Sequence, residues 1–248
     1  DYADPSMPDL DGPAHDLKAM RELLVKRWSF KPDNIRVLQD NQATQAAIVA
    51  ELGKLKARSA AGDSLFLYFT GHGTSARDSS NELPLPSSSG AFVPYDFRIK
   101  SGRYSETDLR RSLLVGRWHL RPVLQELEKD REIFVVMDSC YSGNAVRSLD
   151  GRPRFKTRQI PISLEGDTVA APAAGERKTE RGEAYPYKRV VFIAAASDAE
   201  KAEDIGFADA DRTFDGNPHG AFTDAFIRVM NGSAPADANN DKALDYVE

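Results

Sequence analysis

The stretch SLFLYFTGHG, residues 64–73, carries an apolar run straight into Gly71-His72-Gly73. A short continuous apolar run of this kind reads as a strand buried on both faces, as in parallel sheets. Glycines alone would make the turn that follows; they do not account for a histidine between them in a chain with only four. A second run of the same type, EIFVVMD at 132–138, leads into Ser139-Cys140-Tyr141-Ser142-Gly143, and a third, RVVFIAAA, fills 189–196.

Amphipathic segments lie between these runs. Leu17, Met20, Leu23, Leu24 and Trp28 recur at helical spacing, as do Ile48, Leu52 and Leu55, and later Phe222, Ala225, Phe226, Val229 and Met230. The second of these helices is expected to begin near Thr44 and to stop at Gly62. IRVL, 35–38, reads as a further strand. Residues 74–104, rich in Ser, Pro and Gly, form an excursion longer than ordinary connections, and such loops tend to carry function. Apolar strands alternating with amphipathic helices predict an α/β fold with a mainly parallel sheet covered on both faces. In such sheets, sites gather outside the carboxyl ends of the strands, where both His72 and Cys140 fall.

The bulk properties narrow the function. The chain has 248 residues, long enough for a sizeable core, with 41% hydrophobic and 29% charged residues and a formal charge of -5. That charge gives no general attraction for phosphate backbones, so nucleic acid is not an expected partner. No apolar run is long enough to span a bilayer, so a membrane is not expected either. One cysteine excludes an intrachain disulfide and no zinc-ligand spacing is present. No Gly-rich phosphate loop follows a strand, which argues against a nucleotide-binding domain.

If strands 64–69 and 132–138 are neighbours, their spacing of about 4.8 Å brings His72 and Cys140 within working distance. A thiol beside an imidazole can act as nucleophile with a general base that later protonates the leaving amine. Gly73, with the Cys140 amide, is placed to offer backbone N–H groups to an oxyanion.

YFTGHG followed by DSCYSG, with LDGPAHDLKAM near the start and HGAFT near the end, resembles the caspase-like cysteine peptidases, closest to the metacaspases and prokaryotic orthocaspases. The similarity runs from about Leu10 to about Met230. The Gln-Ala-Cys-x-Gly pentapeptide of animal caspases is absent, since Ser139 precedes Cys140 and Tyr141 follows it. The resemblance implies a six-stranded sheet flanked by helices, a dyad of His72 as base and Cys140 as nucleophile, and Gly73 at the oxyanion. It also implies that the family's first strand would lie before Asp1, outside this chain. The expected organisation is a large half at 1–143 with His and Cys, a basic linker at 144–188, and a small half at 189–248.

Metacaspase-like enzymes accept arginine or lysine in an acidic primary pocket. Here Asp16, Asp138 and Thr70 occupy the matching positions, so the implied activity is an endopeptidase cutting after Arg or Lys. Asp16 read without the resemblance is a helix N-terminal residue, and Asp138 a helix cap. The linker carries Arg147, Arg154 and Arg158 as candidates for self-processing in an exposed loop; Arg152 precedes proline and is a poor one. The alternative is a loop that is never cut.

No cofactor is required by this reading. Some members of the family need calcium, and Asp78, Glu82 and Asp96 supply carboxylates, although Arg147 stands where a further acid would be expected. Asp237, Asn239, Asp241, Asp245 and Glu248 fall at EF-hand positions, but Lys242 replaces the required glycine and a polar turn is the simpler reading. His15, His119 and His219 are read as structural or surface residues. The resemblance suggests a monomer; a cytoplasmic location is the working assumption, since a chain that opens without a methionine or a signal-type segment reads as trimmed and its original targeting is unreadable. The rival reading is a catalytically silent caspase-like module that binds protein partners.

Overall fold

The computed structural model describes residues 1–75, 90–100, 104–139, 156–158, 186–196 and 202–234. Elements follow in chain order: α1 (Pro13–Lys26), α2 (Gln45–Arg58), β1 (Ser64–Thr70), β2 (Gly73–Ser75), β3 (Gly90–Phe92), α3 (Glu106–Ser112), β4 (Leu114–Val115), α4 (Arg121–Leu127) and β5 (Glu132–Asp138). Beyond these come β6 (Lys156–Thr157), β7 (Val190–Ala194), β8 (Glu203–Ile205), β9 (His219–Gly220) and α5 (Ala221–Met230).

The three apolar runs of the sequence become β1, β5 and β7, a parallel sheet in the order β1-β5-β7. The α/β class with a mainly parallel central sheet is the one expected, and of the six strands expected in it three are present among the described residues. Alternation along each strand divides the core. Leu67, Ile133, Val135 and Met137 pack with Ile48 and Leu52 of α2 and Leu124 and Leu127 of α4. Phe66, Phe134 and Val136 face the other way, onto Met20, Leu23 and Leu24 of α1 and Phe226 and Ile227 of α5. Burying each such side chain stabilises the fold by about 1.5–3 kcal/mol relative to exposure. Because side chains alternate strictly, the row that ends in Thr70 and Asp138 emerges on the α1/α5 side, and the register pairs these two residues directly.

Two small antiparallel sheets complete the described residues: β2-β3-β4, within and beyond the long excursion, and β6-β8-β9. β6 lies inside the expected linker, so that stretch is not wholly unpatterned. Two local expectations differ from the structure. The α2 helix, capped by the Thr44 hydroxyl accepting from the Ala47 N–H, stops at Arg58, and Gly62 instead turns the chain at a φ of 88°. Residues 35–38 form no strand. A ladder needs a partner; β1 pairs only with β5 among the described residues, and Ile35, Val37 and Leu38 instead line a cavity of about 1390 Å³ together with Leu65, Leu67 and Phe69 of β1.

No helix among the described residues is long and apolar enough to cross a membrane.

Candidate active site

The site lies at the carboxyl ends of β1 and β5. Their pairing, left conditional in the sequence, is present: Thr70 stands opposite Asp138, and the Gly71 N–H donates to the Asp138 carbonyl at 3.2 Å. Gly71 has a φ of 144°, a backbone region that disfavours side chains, and a Cβ there would press on the Tyr2 hydroxyl and the Phe92 ring. Glycine therefore lets the chain reverse and bring His72 back over the strand ends.

His72 is fully buried. Its Nε2 is 2.7 Å from the Pro8 carbonyl oxygen. A carbonyl only accepts, so Nε2 carries the proton and, in the neutral ring, Nδ1 is left as a lone pair. Nδ1 has no hydrogen-bond partner among the described residues. The Tyr2 ring lies 5.0 Å from the imidazole, and the Tyr2 hydroxyl accepts the His72 backbone N–H at 2.8 Å. Burial holds the His72 pKa below its ordinary value, although the bond to Pro8 works the other way. A neutral imidazole with one fixed tautomer is equipped to take a proton. Cys140 lies outside the described residues; the chain preceding it ends at Ser139, itself buried.

Beside His72 three buried carboxylates, Asp16, Asp138 and Asp204, close around Arg158 and form an acidic pocket that this side chain fills. This residue was expected in an exposed loop, and the structure corrects that: its side chain is completely buried. Burying a guanidinium is costly unless charges and hydrogen bonds compensate, and here they do. Arg158 Nη2 donates to Asp16 Oδ2 at 2.7 Å and to Asp204 Oδ1 at 2.8 Å. Nη1 donates to Thr70 Oγ1 at 2.5 Å and to the Asp138 carbonyl at 3.0 Å, with Asp138 Oδ2 at 3.3 Å. The Arg158 backbone carbonyl accepts the Gly73 N–H at 2.8 Å. The pocket residues Asp16, Thr70 and Asp138, the oxyanion residue Gly73 and the self-processing candidate Arg158, three separate expectations, thus meet at one place. Arg147 and Arg154 lie outside the described residues.

Each carboxylate is held from behind. Asp16, in the first turn of α1, also accepts from the Gly220 N–H and faces His219 Nδ1 at 2.9 Å. Burial works to raise its pKa, but Arg158 and the hydrogen bonds from His219, Arg158 and Thr70 hold it below the usual value. Asp138 Oδ2 accepts the Thr223 N–H and hydroxyl at 3.1 and 2.6 Å, so it also caps the first turn of α5, across the sheet edge. Burial pushes the Asp138 carboxyl up to about 6; Arg158 opposes the rise and the charge on Asp16 adds to it. Asp204 accepts from the backbone N–H groups of Asp11 and Gly12. Gly220 forms the pocket wall so closely that a Cβ would overlap the Asp138 carboxylate and the Arg158 guanidinium.

Sequence reasoning missed Asp204, His219, Pro8 and Tyr2. Asp204 sits in a three-residue strand with no periodicity, and Pro8 acts only through its carbonyl, so neither had a residue-type signal. His219 belonged to the HGAFT stretch and was read as structural. Asp96 spends its carboxylate on the Gln45 N–H at 2.9 Å, at the start of α2. Asp78, Glu82 and the 237–248 stretch lie outside the described residues, among which no group of three or more His, Cys, Asp or Glu side chains could hold a metal.

Comparison with known proteins adds an independent line. The chain is 27% identical over 205 residues to Metacaspase-9 of Arabidopsis thaliana, covering 80% of this chain and 56% of that protein. It is 24% identical over 233 residues to Metacaspase-3 of the same plant, covering 92% and 56%. Against Metacaspase III c of Phaeodactylum tricornutum the identity is 29% over 141 residues, covering 55% and 39%. The chain therefore spans about half the length, or less, of these curated relatives. The family model described as metacaspase, peptidase C14 domain, matches residues 1–149, more than half of the sequence, and the chain belongs to that family.

Proposed function

We propose that this chain is a cysteine endopeptidase that cuts after arginine or lysine, with Cys140 as nucleophile and His72 as general base. One observation carries the reading. Arg158 enters the acidic pocket with its guanidinium among three carboxylates and its carbonyl on the Gly73 N–H. A substrate arginine would need that pose, with the scissile carbonyl against an oxyanion donor.

The chemistry follows from the groups present. His72 Nδ1 takes the Cys140 thiol proton, and the sulfur forms a bond to the scissile carbon while the carbonyl electrons move onto oxygen, which the Gly73 N–H stabilises. Collapse of this intermediate breaks the C–N bond, and the amine leaves with the proton from Nδ1. Water, giving a proton to the same nitrogen, then attacks the thioester and frees the acid and the thiol. The tautomer fixed by Pro8 keeps Nδ1 available throughout.

The same pose makes Arg158–Gln159 the preferred bond for self-processing, ahead of those after Arg147 and Arg154. The test is turnover of matched peptides ending in Arg, Lys or Asp, with and without calcium, on this protein and on Cys140→Ala, together with the mass of the chain over time. Turnover of Arg or Lys peptides that is lost in Cys140→Ala supports the reading; turnover of the Asp peptide alone overturns the pocket assignment. A second reading, a caspase-like module that binds without catalysis, draws on the same filled pocket, since a groove closed by its own chain needs no turnover. Labelling of Cys140 by a thiol-reactive arginine peptide separates the two.

A further inference from the structure

His219 lies behind the pocket, completely buried, and touches no part of Arg158 directly in the hydrogen bonds described. Its Nδ1 is 2.9 Å from Asp16 Oδ1 and its Nε2 is 3.0 Å from Asp215 Oδ1. Both neighbours are carboxylate oxygens, and a carboxylate only accepts. Two such contacts are satisfied together only if both ring nitrogens carry protons. Asp16 is divided accordingly: Oδ1 faces His219 and the Gly220 N–H, while Oδ2 faces Thr70 Oγ1 and Arg158 Nη2.

We propose that His219 is a positioning residue of the primary pocket, a buried imidazolium clamped between Asp16 and Asp215 that aims the second oxygen of Asp16 at the incoming guanidinium. This rests on reading the pocket as an arginine site. The clamp has an inner and an outer end. Asp16 is inaccessible, whereas Asp215 is 35% exposed, so the proton on Nε2 is the one in reach of solvent. The surrounding groups suit a charged ring. On α1, besides Asp16, the His15 ring lies 6.1 Å away; the Phe214 ring packs at 4.9 Å; and Asp204 and Asp138 stand beyond Gly220, around Arg158. Burial lowers the tendency of His219 to hold its proton, but the bonds and charges of Asp16 and Asp215 outweigh it, and the net direction is upward. A ring with one nitrogen bare would leave a lone pair facing a carboxylate oxygen, that of Asp215 if the Nε2 proton is the one lost and that of Asp16 if the Nδ1 proton is lost.

The experiment has two readouts on the full chain. Ring nitrogens labelled with 15N report the protonation of each of the four histidines, and His219→Asn assigns the signal. The expected result is one ring protonated on both nitrogens at pH 7.5, titrating at lower pH in Asp215→Asn; a neutral ring at pH 7.5 overturns the proposal. In peptide assays, His219→Ala should raise KM for an arginine peptide about tenfold with kcat little changed. His219→Asn, whose amide N–H can replace Nδ1–H toward Asp16, should recover most of that loss. A KM equal to that of the unsubstituted protein in His219→Ala, or a loss confined to kcat, overturns it. Failure of the unsubstituted protein to turn over arginine peptides would instead count against the arginine-site reading, and the ring signal would still decide the state of His219.

Discussion

Replacing Asp204 by asparagine isolates the third carboxylate of the pocket, the one sequence reasoning missed. In the native protein Asp204 Oδ1 accepts from Arg158 Nη2 at 2.8 Å, and Oδ2 accepts from the Asp11 N–H at 2.8 Å. Asparagine is nearly isosteric and keeps one acceptor oxygen but removes the charge. Hydrogen bonds to charged groups contribute about 1.5–3 kcal/mol each, equivalent to about ten- to a hundredfold in kcat/KM. The guanidinium would not be stranded, because Asp16 and Asp138 still face it. The cost should therefore stay near the low end and appear chiefly in KM for arginine peptides. Steady-state kinetics on the Asp204→Asn variant, with a thermal melt to confirm folding, would measure it. A folded variant with arginine KM changed less than about twofold would refute the claim that Asp204 recognises the guanidinium.

Other consequences follow from the same geometry. With Asp138 pushed up to about 6 by burial, its charge is lost as pH falls through that value. The KM for arginine peptides should then rise below about pH 6, while kcat persists to lower pH because burial holds the His72 pKa down. A profile in which kcat alone falls would contradict this. Gly220→Ala should abolish arginine turnover by at least about a hundredfold, because its Cβ would overlap both the Asp138 carboxylate and the guanidinium; turnover near the native level would show that the wall yields. Arg158 spreads its contacts over two terminal nitrogens, whereas lysine offers one, so arginine peptides should exceed lysine peptides in kcat/KM by about tenfold or more. Equal rates for the pair would count against a forked pocket.

Much of this was legible in the sequence. Three apolar runs, two of them with a chemically distinctive residue just past the end, pointed to the parallel sheet and the edge on which His72 stands, because burial on both faces leaves a strand few polar positions. Asp16, Asp138 and Thr70 could be assigned to one pocket only through resemblance. Composition misled at Arg158: a basic, unpatterned stretch reads as solvated, and the carboxylates that bury this residue come from positions 16, 138 and 204, far apart in the chain. Residues 35–38 show the converse, a strand-like composition that forms no ladder because no partner lies beside it among the described residues. His219 opens the HGAFT stretch, but nothing in a single sequence says which carboxylates its ring nitrogens meet, and Pro8 meets His72 through a backbone carbonyl, which leaves no residue-type signal.

The most direct test of the account is the fate of the Arg158–Gln159 bond. Freshly purified chain would be followed by intact mass and amino-terminal sequencing, beside Cys140→Ala and Arg158→Ala. The account predicts a fragment beginning at Gln159 that is absent from both variants. A folded, active enzyme that never yields this fragment, or one that produces it equally in Cys140→Ala, would contradict the claim that Arg158 occupies the pocket as a substrate does.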